Sequence, residues 1–286
     1  MSKLTVATCQ FRIESEPDRN LRAIERQMKM AQKRGAHLAH FSETCLSGYL
    51  GSEVPSAREQ DWAGVREAMH TIMGLAGELR MWVVVGCNHR LSRRHKPHNS
   101  LYVVNDRGEL IDRYDKMFCT GSDDRTADLA HYSPGEAFVT FNVRNVRCGL
   151  LICHDFRYPE LFREYKKQGV ELMLVSFHNA GMPPERFEDY KVYVSATLQA
   201  AAASNYFSIS ATNGTRRHAW SSFVVDPEGI VISKARPHRP EVLINTIDTS
   251  AKHYDASIAW RDRAMSGIFH SGTLVRDPRS RDRRSI

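Results

Sequence analysis

One thiol, one carboxylate and one ammonium each stand just past the end of a strand-like run: Cys153, Glu43 and Lys116. Cys153 ends the run Val146-Arg147-Cys148-Gly149-Leu150-Leu151-Ile152 and precedes His154-Asp155-Phe156-Arg157-Tyr158-Pro159-Glu160. This predicts a buried strand, a sharp turn carrying the thiol, and a helix starting near Pro159, because proline suits the first helical position. Backbone N–H groups and the positive end of a helix would favour a thiolate there, and any oxyanion formed beside it. Ligands of open α/β sheets bind at strand ends. Brought together, the three groups make a coherent chemical set. Cys153 would attack as nucleophile, and Glu43 would take its proton and later pass it to a leaving amine. Lys116 and the His154 backbone N–H would hold the oxyanion, where one donor is worth about 3–4 kcal/mol in measured cases. Each residue taken singly has a plainer reading. A free cysteine is commonly a small apolar core residue, and most glutamates and lysines are surface charges.

Other residues fall near the same strand ends. Arg157 has two readings: a fork for a substrate carboxylate, or a brace pairing with Glu160 or a neighbouring acid, which is the preferred one. His178 and Asn179 follow the strand-like run Glu171 to Ser176 and face the same crevice, either as substrate contacts or bonded within their own loop. That loop, Phe177 to Phe187, also holds Gly181, Pro183 and Pro184. The segment Cys119 to Ser133 holds Gly121, Asp123, Asp124, Asp128 and His131. Long loops of this kind tend to bind ligands. Trp220 reads as pocket lining or, more commonly for a large aromatic, as core.

The elements that must position these residues alternate. Strands are expected at Leu4 to Cys9, Ala36 to Phe41, Met81 to Cys87, Val146 to Ile152, Glu171 to Ser176, Tyr206 to Thr212 and Val242 to Ile247. Helical spacing marks Leu21 to Ala31 with Gly35 as its stop, Trp62 to Leu79, Pro159 to Lys167 and Glu188 to Ser204. Hairpins are expected around Asp106-Arg107-Gly108 and Asp226-Pro227-Glu228-Gly229. Strand–helix alternation plus hairpins implies an α/β protein with mixed sheets. No Pro/Gly/Ser-rich linker divides it, so one domain is expected over 1–275, followed by a basic tail at 276–286.

The chain has 286 residues, 42% apolar and 26% charged, which suits a soluble globular protein. No apolar run is long enough to span a membrane. The N-terminus runs straight into a strand pattern without the features of a signal peptide, so the cytoplasm is expected. The six cysteines lack CxxC or zinc-ligand spacing, which suggests reduced thiols and no metal. The tail contributes +3 of the +7 net charge. It could touch nucleic acid or acidic lipid, but nothing else resembles a nucleic-acid motif, so a solvated terminus or a strap across a subunit partner is preferred.

Phe41-Ser42-Glu43-Thr44-Cys45-Leu46-Ser47-Gly48-Tyr49, Tyr114-Asp115-Lys116-Met117-Phe118 and Cys153-His154-Asp155-Phe156-Arg157-Tyr158-Pro159-Glu160 resemble, in order, the glutamate, lysine and cysteine motifs of the nitrilase superfamily of carbon–nitrogen hydrolases. Phe223-Val224-Val225-Asp226-Pro227-Glu228-Gly229 is similar to its late hairpin, and the resemblance runs from Thr5 to about Asp248. It implies a four-layer αββα sandwich of nitrilase type, a thioester acyl-enzyme, no metal or other cofactor, and a homodimer or larger homo-oligomer. Small amides or N-carbamoyl compounds are the implied substrates, with no nucleic acid and no membrane. Asp155 suits the amidase branch, since true nitrilases resemble Cys-Trp-Glu there. Asp128 stands where the family has a second glutamate; this shorter carboxylate either positions the substrate or Lys116, or falls short. Ala201 and Ser204, followed by Asn205, stand where many members have Arg and Glu, and Trp220 replaces the usual glycine before the late hairpin. The alternatives are nitrile hydrolysis by the same triad, and a catalytically silent relative serving as a binding or scaffold protein.

Overall fold

A computed structural model of the chain describes residues 3–92, 94–179, 183–215 and 218–284. One six-stranded sheet contains β1 (Lys3–Gln10), β2 (Leu38–His40), β3 (Trp82–His89), β4 (His98–Val104), β5 (Leu110–Asp115) and β12 (Glu241–Asp248), in the order β12-β1-β2-β3-β4-β5. The other contains β6 (Thr140–Val143), β7 (Val146–Ile152), β8 (Leu172–Ser176), β9 (Ser208–Thr212), β10 (Phe223–Val225) and β11 (Val231–Lys234), in the order β11-β10-β9-β8-β7-β6. β1, β2 and β3 run parallel, as do β7, β8 and β9, and hairpin neighbours pair antiparallel, so both sheets are mixed.

Strand alternation sorts the side chains into layers. Ala7 and Cys9 of β1 and Val83 and Val85 of β3 pack with Ile24 and Met28 of α1 (Pro17–Lys33) and Val65 and Ile72 of α2 (Trp62–Leu79). Leu4, Val6 and Val84 share a core with Leu150 and Ile152 of β7. That core continues to Leu161 and Tyr165 of α3 (Pro159–Lys167) and to Val194 and Leu198 of α4 (Phe187–Asn205). The result is the expected four-layer αββα sandwich. Among the described residues, no helix is long and apolar enough to cross a membrane.

α2, β7 and α3 match the sequence reading end to end. β9 starts at Ser208 rather than Tyr206, because Tyr206 adopts φ +53° and ends α4 in a left-handed turn. β6 escaped the sequence reading. It has only four residues, and its turn to β7 is Arg144-Asn145, both at positive φ, as a tight primed hairpin turn requires. The short helix α5 (Arg261–Met265) was also unforeseen. Trp220 belongs to the core, edge-on to Phe177 with ring centroids 4.7 Å apart.

The two sheets are also joined by a buried polar chain. His40 Nδ1 bonds Ser210 Oγ at 2.8 Å, and Ser210 Oγ bonds Thr8 Oγ1 at 2.7 Å. His40 Nε2 bonds Ser176 Oγ at 2.9 Å, and Ser176 Oγ donates to the Phe41 carbonyl at 2.9 Å. Burial depresses His40 from 6.5 to about 3. The unfolded chain therefore binds a proton at this residue between those pH values that the folded chain refuses, and stability falls as pH falls through that window. The loss is at most about 1.4 kcal/mol per pH unit. Denaturant unfolding at stepped pH should show that His40→Gln flattens the acid slope by up to one proton's worth. An unchanged slope would contradict a neutral, buried His40.

Candidate active site

Glu43 lies on the turn that follows β2, whose residue Thr44 has φ +48°. This turn rests directly on Gly86 of β3. A Cβ there would lie 2.2 Å from the Ser42 carbonyl and 2.4 Å from the Thr44 nitrogen, so only glycine fits. Lys116 extends β5 by one residue, its N–H donating to the Asn99 carbonyl of β4 at 2.9 Å. Cys153 follows β7 at φ +43° and opens a short 3-10 turn, Cys153–Arg157, that runs on to α3.

Asp155, inside that turn, ties it to the lysine loop. Its Oδ1 accepts from the Phe118 N–H at 2.7 Å, and its Oδ2 accepts from the Tyr114 hydroxyl at 2.7 Å and the Ile152 N–H at 3.0 Å. Burial pushes Asp155 up to about 6 despite these bonds. It is a brace between two loops from two sheets.

The structure brings Glu43, Lys116 and Cys153 to one cleft of about 750 Å³. Glu43 and Lys116 are not surface charges: their side chains are 0% and 1% exposed. Lys116 Nζ donates to Glu43 Oε1 at 2.9 Å and to Asp128 Oδ2 at 2.7 Å. Asn99 Nδ2 also donates to Glu43 Oε1, at 2.7 Å, whereas buried Oε2 has no hydrogen-bond partner. Burial opposes the charge on Lys116, but Glu43, Tyr49 and Asp128 outweigh it and hold the ammonium well above the usual lysine range. Burial likewise opposes ionisation of Asp128, and Lys116 reverses this, leaving its carboxyl below the usual range.

Asp128 thus reaches Lys116 although it is one methylene shorter than glutamate. Its place is set by the loop: Ala127 takes φ +46° at the start of the 3-10 turn Ala127–Ala130, and Leu129 N–H donates to the Thr120 carbonyl at 3.0 Å. The Thr120 N–H in turn donates to Asp128 Oδ2 at 3.0 Å, and the Tyr49 hydroxyl donates to Oδ1.

The thiol differs from the sequence expectation. Burial, and next the Glu43 carboxylate, push Cys153 well above the usual thiol range. The 3-10 turn separates the thiol from α3, and two nearby carboxylates against one ammonium disfavour a further negative charge. Cys153 is therefore a neutral thiol at rest, not a preformed thiolate. The His154 ring is edge-on to Tyr158, and burial, then Lys116 and Arg157, lower its basicity.

Arg157 does not brace the turn through Glu160, and among the described residues it forms no ion pair. Its guanidinium lies 4.7 Å from the Tyr193 ring centroid and 5.7 Å from that of Tyr190, at the exposed rim of the cleft. His178 Nε2 lies 2.8 Å from Glu53 Oε2, a partner the sequence did not reveal. Asn179 has φ +55°, and both polar atoms of its side chain are buried with no hydrogen-bond partner among the described residues. His178 and Asn179 both line the cleft; Gly181 of the same loop lies outside the described residues. Asn99 and Glu53 were missed because neither stands in a motif window, and Tyr49, though it closes the glutamate window, has a bond to Asp128 that only the fold creates. Among the described residues, no group of three His, Cys, Asp or Glu side chains could hold a metal ion.

The chain also resembles known proteins. A family model described as carbon-nitrogen hydrolase matches residues 5–254. An (R)-stereoselective amidase from Pseudomonas sp. is 28% identical over 75% of this chain and 76% of its own length. A 2-oxoglutaramate amidase from Bacillus subtilis is 24% identical over 81% of this chain and 86% of its own. The crystal structure of an amidase from Nesterenkonia sp. superposes with a TM-score of 0.73 at 22% identity, covering 86% of this chain and 90% of that one. With a family match across most of its length, and with that family's fold, this chain belongs to the carbon–nitrogen hydrolases of the nitrilase superfamily.

Proposed function

We propose that the protein is an amidase that hydrolyses a small linear amide or N-carbamoyl compound through a thioester on Cys153. One observation carries this reading: in the cleft that holds Cys153, Glu43 Oε1 is fixed by Lys116 and Asn99, while buried Oε2 has no other partner among the described residues and the carboxylate acts directly on the thiol. A carboxylate held that way is a base waiting for a proton.

The steps follow from the protonation states. Glu43 removes the thiol proton as Cys153 Sγ attacks the carbonyl carbon, and Lys116 with the His154 N–H receives the oxyanion. Collapse expels the nitrogen, which takes the proton from Glu43 and leaves as ammonia or an amine. Water then gives a proton to Glu43 as it attacks the thioester carbon. The second collapse releases the acid and returns the proton to the thiolate. Asp128 keeps Lys116 charged and aimed throughout.

Asn179, whose donor and acceptor have no partner among the described residues, suits the amide or ureido end of the substrate. The unpaired guanidinium of Arg157 suits a carboxylate at its far end. Relatives that bear the names (R)-stereoselective amidase and N-carbamoylputrescine amidase support both substrate classes. Residues 1–275 serve as one hydrolase domain and 276–286 as a basic tail. Exposed Ile258, Phe269 and Leu274 just ahead of the tail support pairing of two copies as a homodimer. All six cysteines are free, which fits a reducing compartment such as the cytoplasm.

Ammonia release across a panel of small amides, carbamoyl amino acids and nitriles should single out an amide or carbamoyl substrate. Cys153→Ala should abolish turnover while the melting temperature holds; undiminished activity, or turnover of nitriles alone, would overturn the assignment. Asp128→Asn removes one charge beside Lys116 without changing shape. It should lower kcat roughly ten- to a hundredfold with little change in KM, as steady-state kinetics on the same substrate will show. An unchanged kcat would remove Asp128 from the machinery.

A further inference from the structure

A second concave site lies outside the catalytic cleft and shares none of its described lining residues. It encloses about 460 Å³, a volume typical of small-molecule sites. The chain entering α2 supplies Arg58 and Trp62, and the β3–β4 connection supplies Arg90, Ser92 and His95. The Arg90 guanidinium lies 5.6 Å from the centroid of the Trp62 ring, and Trp62 Nε1 is anchored on the Ala57 carbonyl at 2.9 Å. Ser92 Oγ bonds His95 Nδ1 at 2.7 Å.

The charge of this cleft is unbalanced. Arg107, Arg113, Arg236 and Arg261 are each paired with a carboxylate. Among the described residues, neither Arg58 nor Arg90 has such a partner, and no acid lines the cleft. The acids nearest along the chain, Glu59 and Asp61, do not line the cleft: Ser56 Oγ donates to Glu59 at 2.9 Å, and Asp61 caps α2 by accepting from the Gly64 N–H. Two guanidiniums bordering one concavity suit a dianion, and each can offer a planar pair of donors to phosphate oxygens. The anchored indole, with Arg90 already over its ring, adds an apolar wall beside the guanidiniums against which a flat group can rest.

We propose that this cleft binds a phosphate monoester carried on a flat organic group, of the nucleoside monophosphate class. Arg58 and Arg90 hold the phosphate, and Trp62 takes the flat group.

Isothermal titration of the full chain with adenosine monophosphate and, separately, inorganic phosphate tests this. The nucleotide should bind saturably at one site and more tightly than phosphate. Arg58→Ala and Arg90→Ala should each weaken it about tenfold or more, with the melting temperature unchanged. Trp62→Ala should weaken the nucleotide more than phosphate. As a control for general charge, replacing the tail arginines Arg283 and Arg284 by alanine should leave binding intact. The proposal is overturned if no saturable binding appears, if the nucleotide binds no better than phosphate, or if the tail replacement matches the loss seen in the cleft variants.

Discussion

The structure depends on one buried ammonium held between two carboxylates. Lys116 lies 2.9 Å from Glu43 and 2.7 Å from Asp128, and it is almost wholly shielded from water. Three charges cannot be buried cheaply unless their geometry and remaining hydrogen bonds are supplied by the surroundings. That demand explains the donors converging on them: Asn99 on Glu43, and Tyr49 with the Thr120 N–H on Asp128. One carboxylate oxygen, Glu43 Oε2, is left out of this satisfaction. The carboxylates outnumber the single ammonium, so burial and these neighbours hold the adjacent Cys153 thiol protonated.

The sandwich exists to bring loops from two different sheets to this cluster. Glu43, Asn99 and Lys116 come from the first sheet, and Cys153, His178 and Asn179 from the second. Asp155 spans the two with its bonds to Tyr114 and Phe118 on one side and Ile152 on the other. Deeper in, His40 and its serines lock the same sheets in register. Gly86 lets the Glu43 turn sit against β3. These contacts leave the site little freedom to shift, as the nucleophile and base proposed above would require for efficient attack.

Much of this was legible because strands buried on both faces read as continuous apolar runs with abrupt ends. Val146 to Ile152 and its abrupt end located Cys153, and the same logic located Glu43 and Lys116. Four-residue β6 was not legible, since two inward residues, Phe141 and Val143, give no reliable period. The thiol's protonation was misread because helix position is visible in a sequence, whereas burial and the sign of neighbouring charge are properties of the fold. Arg157 was misread for a related reason: an acid three residues away suggested a pair, but the rings of Tyr190 and Tyr193, more than thirty residues on, occupy its surroundings. Asn99, Tyr49 and Glu53 reach the site through tertiary contacts alone.

The central claim is that Cys153 rests as a neutral thiol under the control of Glu43. Its most direct test is the pH dependence of iodoacetamide alkylation at Cys153, followed by peptide mass spectrometry in the native chain and in Glu43→Gln. The account predicts titration above the ordinary free thiol value of about 8.5, and a downward shift when the Glu43 charge is removed. A thiolate titrating below about 7 and indifferent to Glu43→Gln would contradict it.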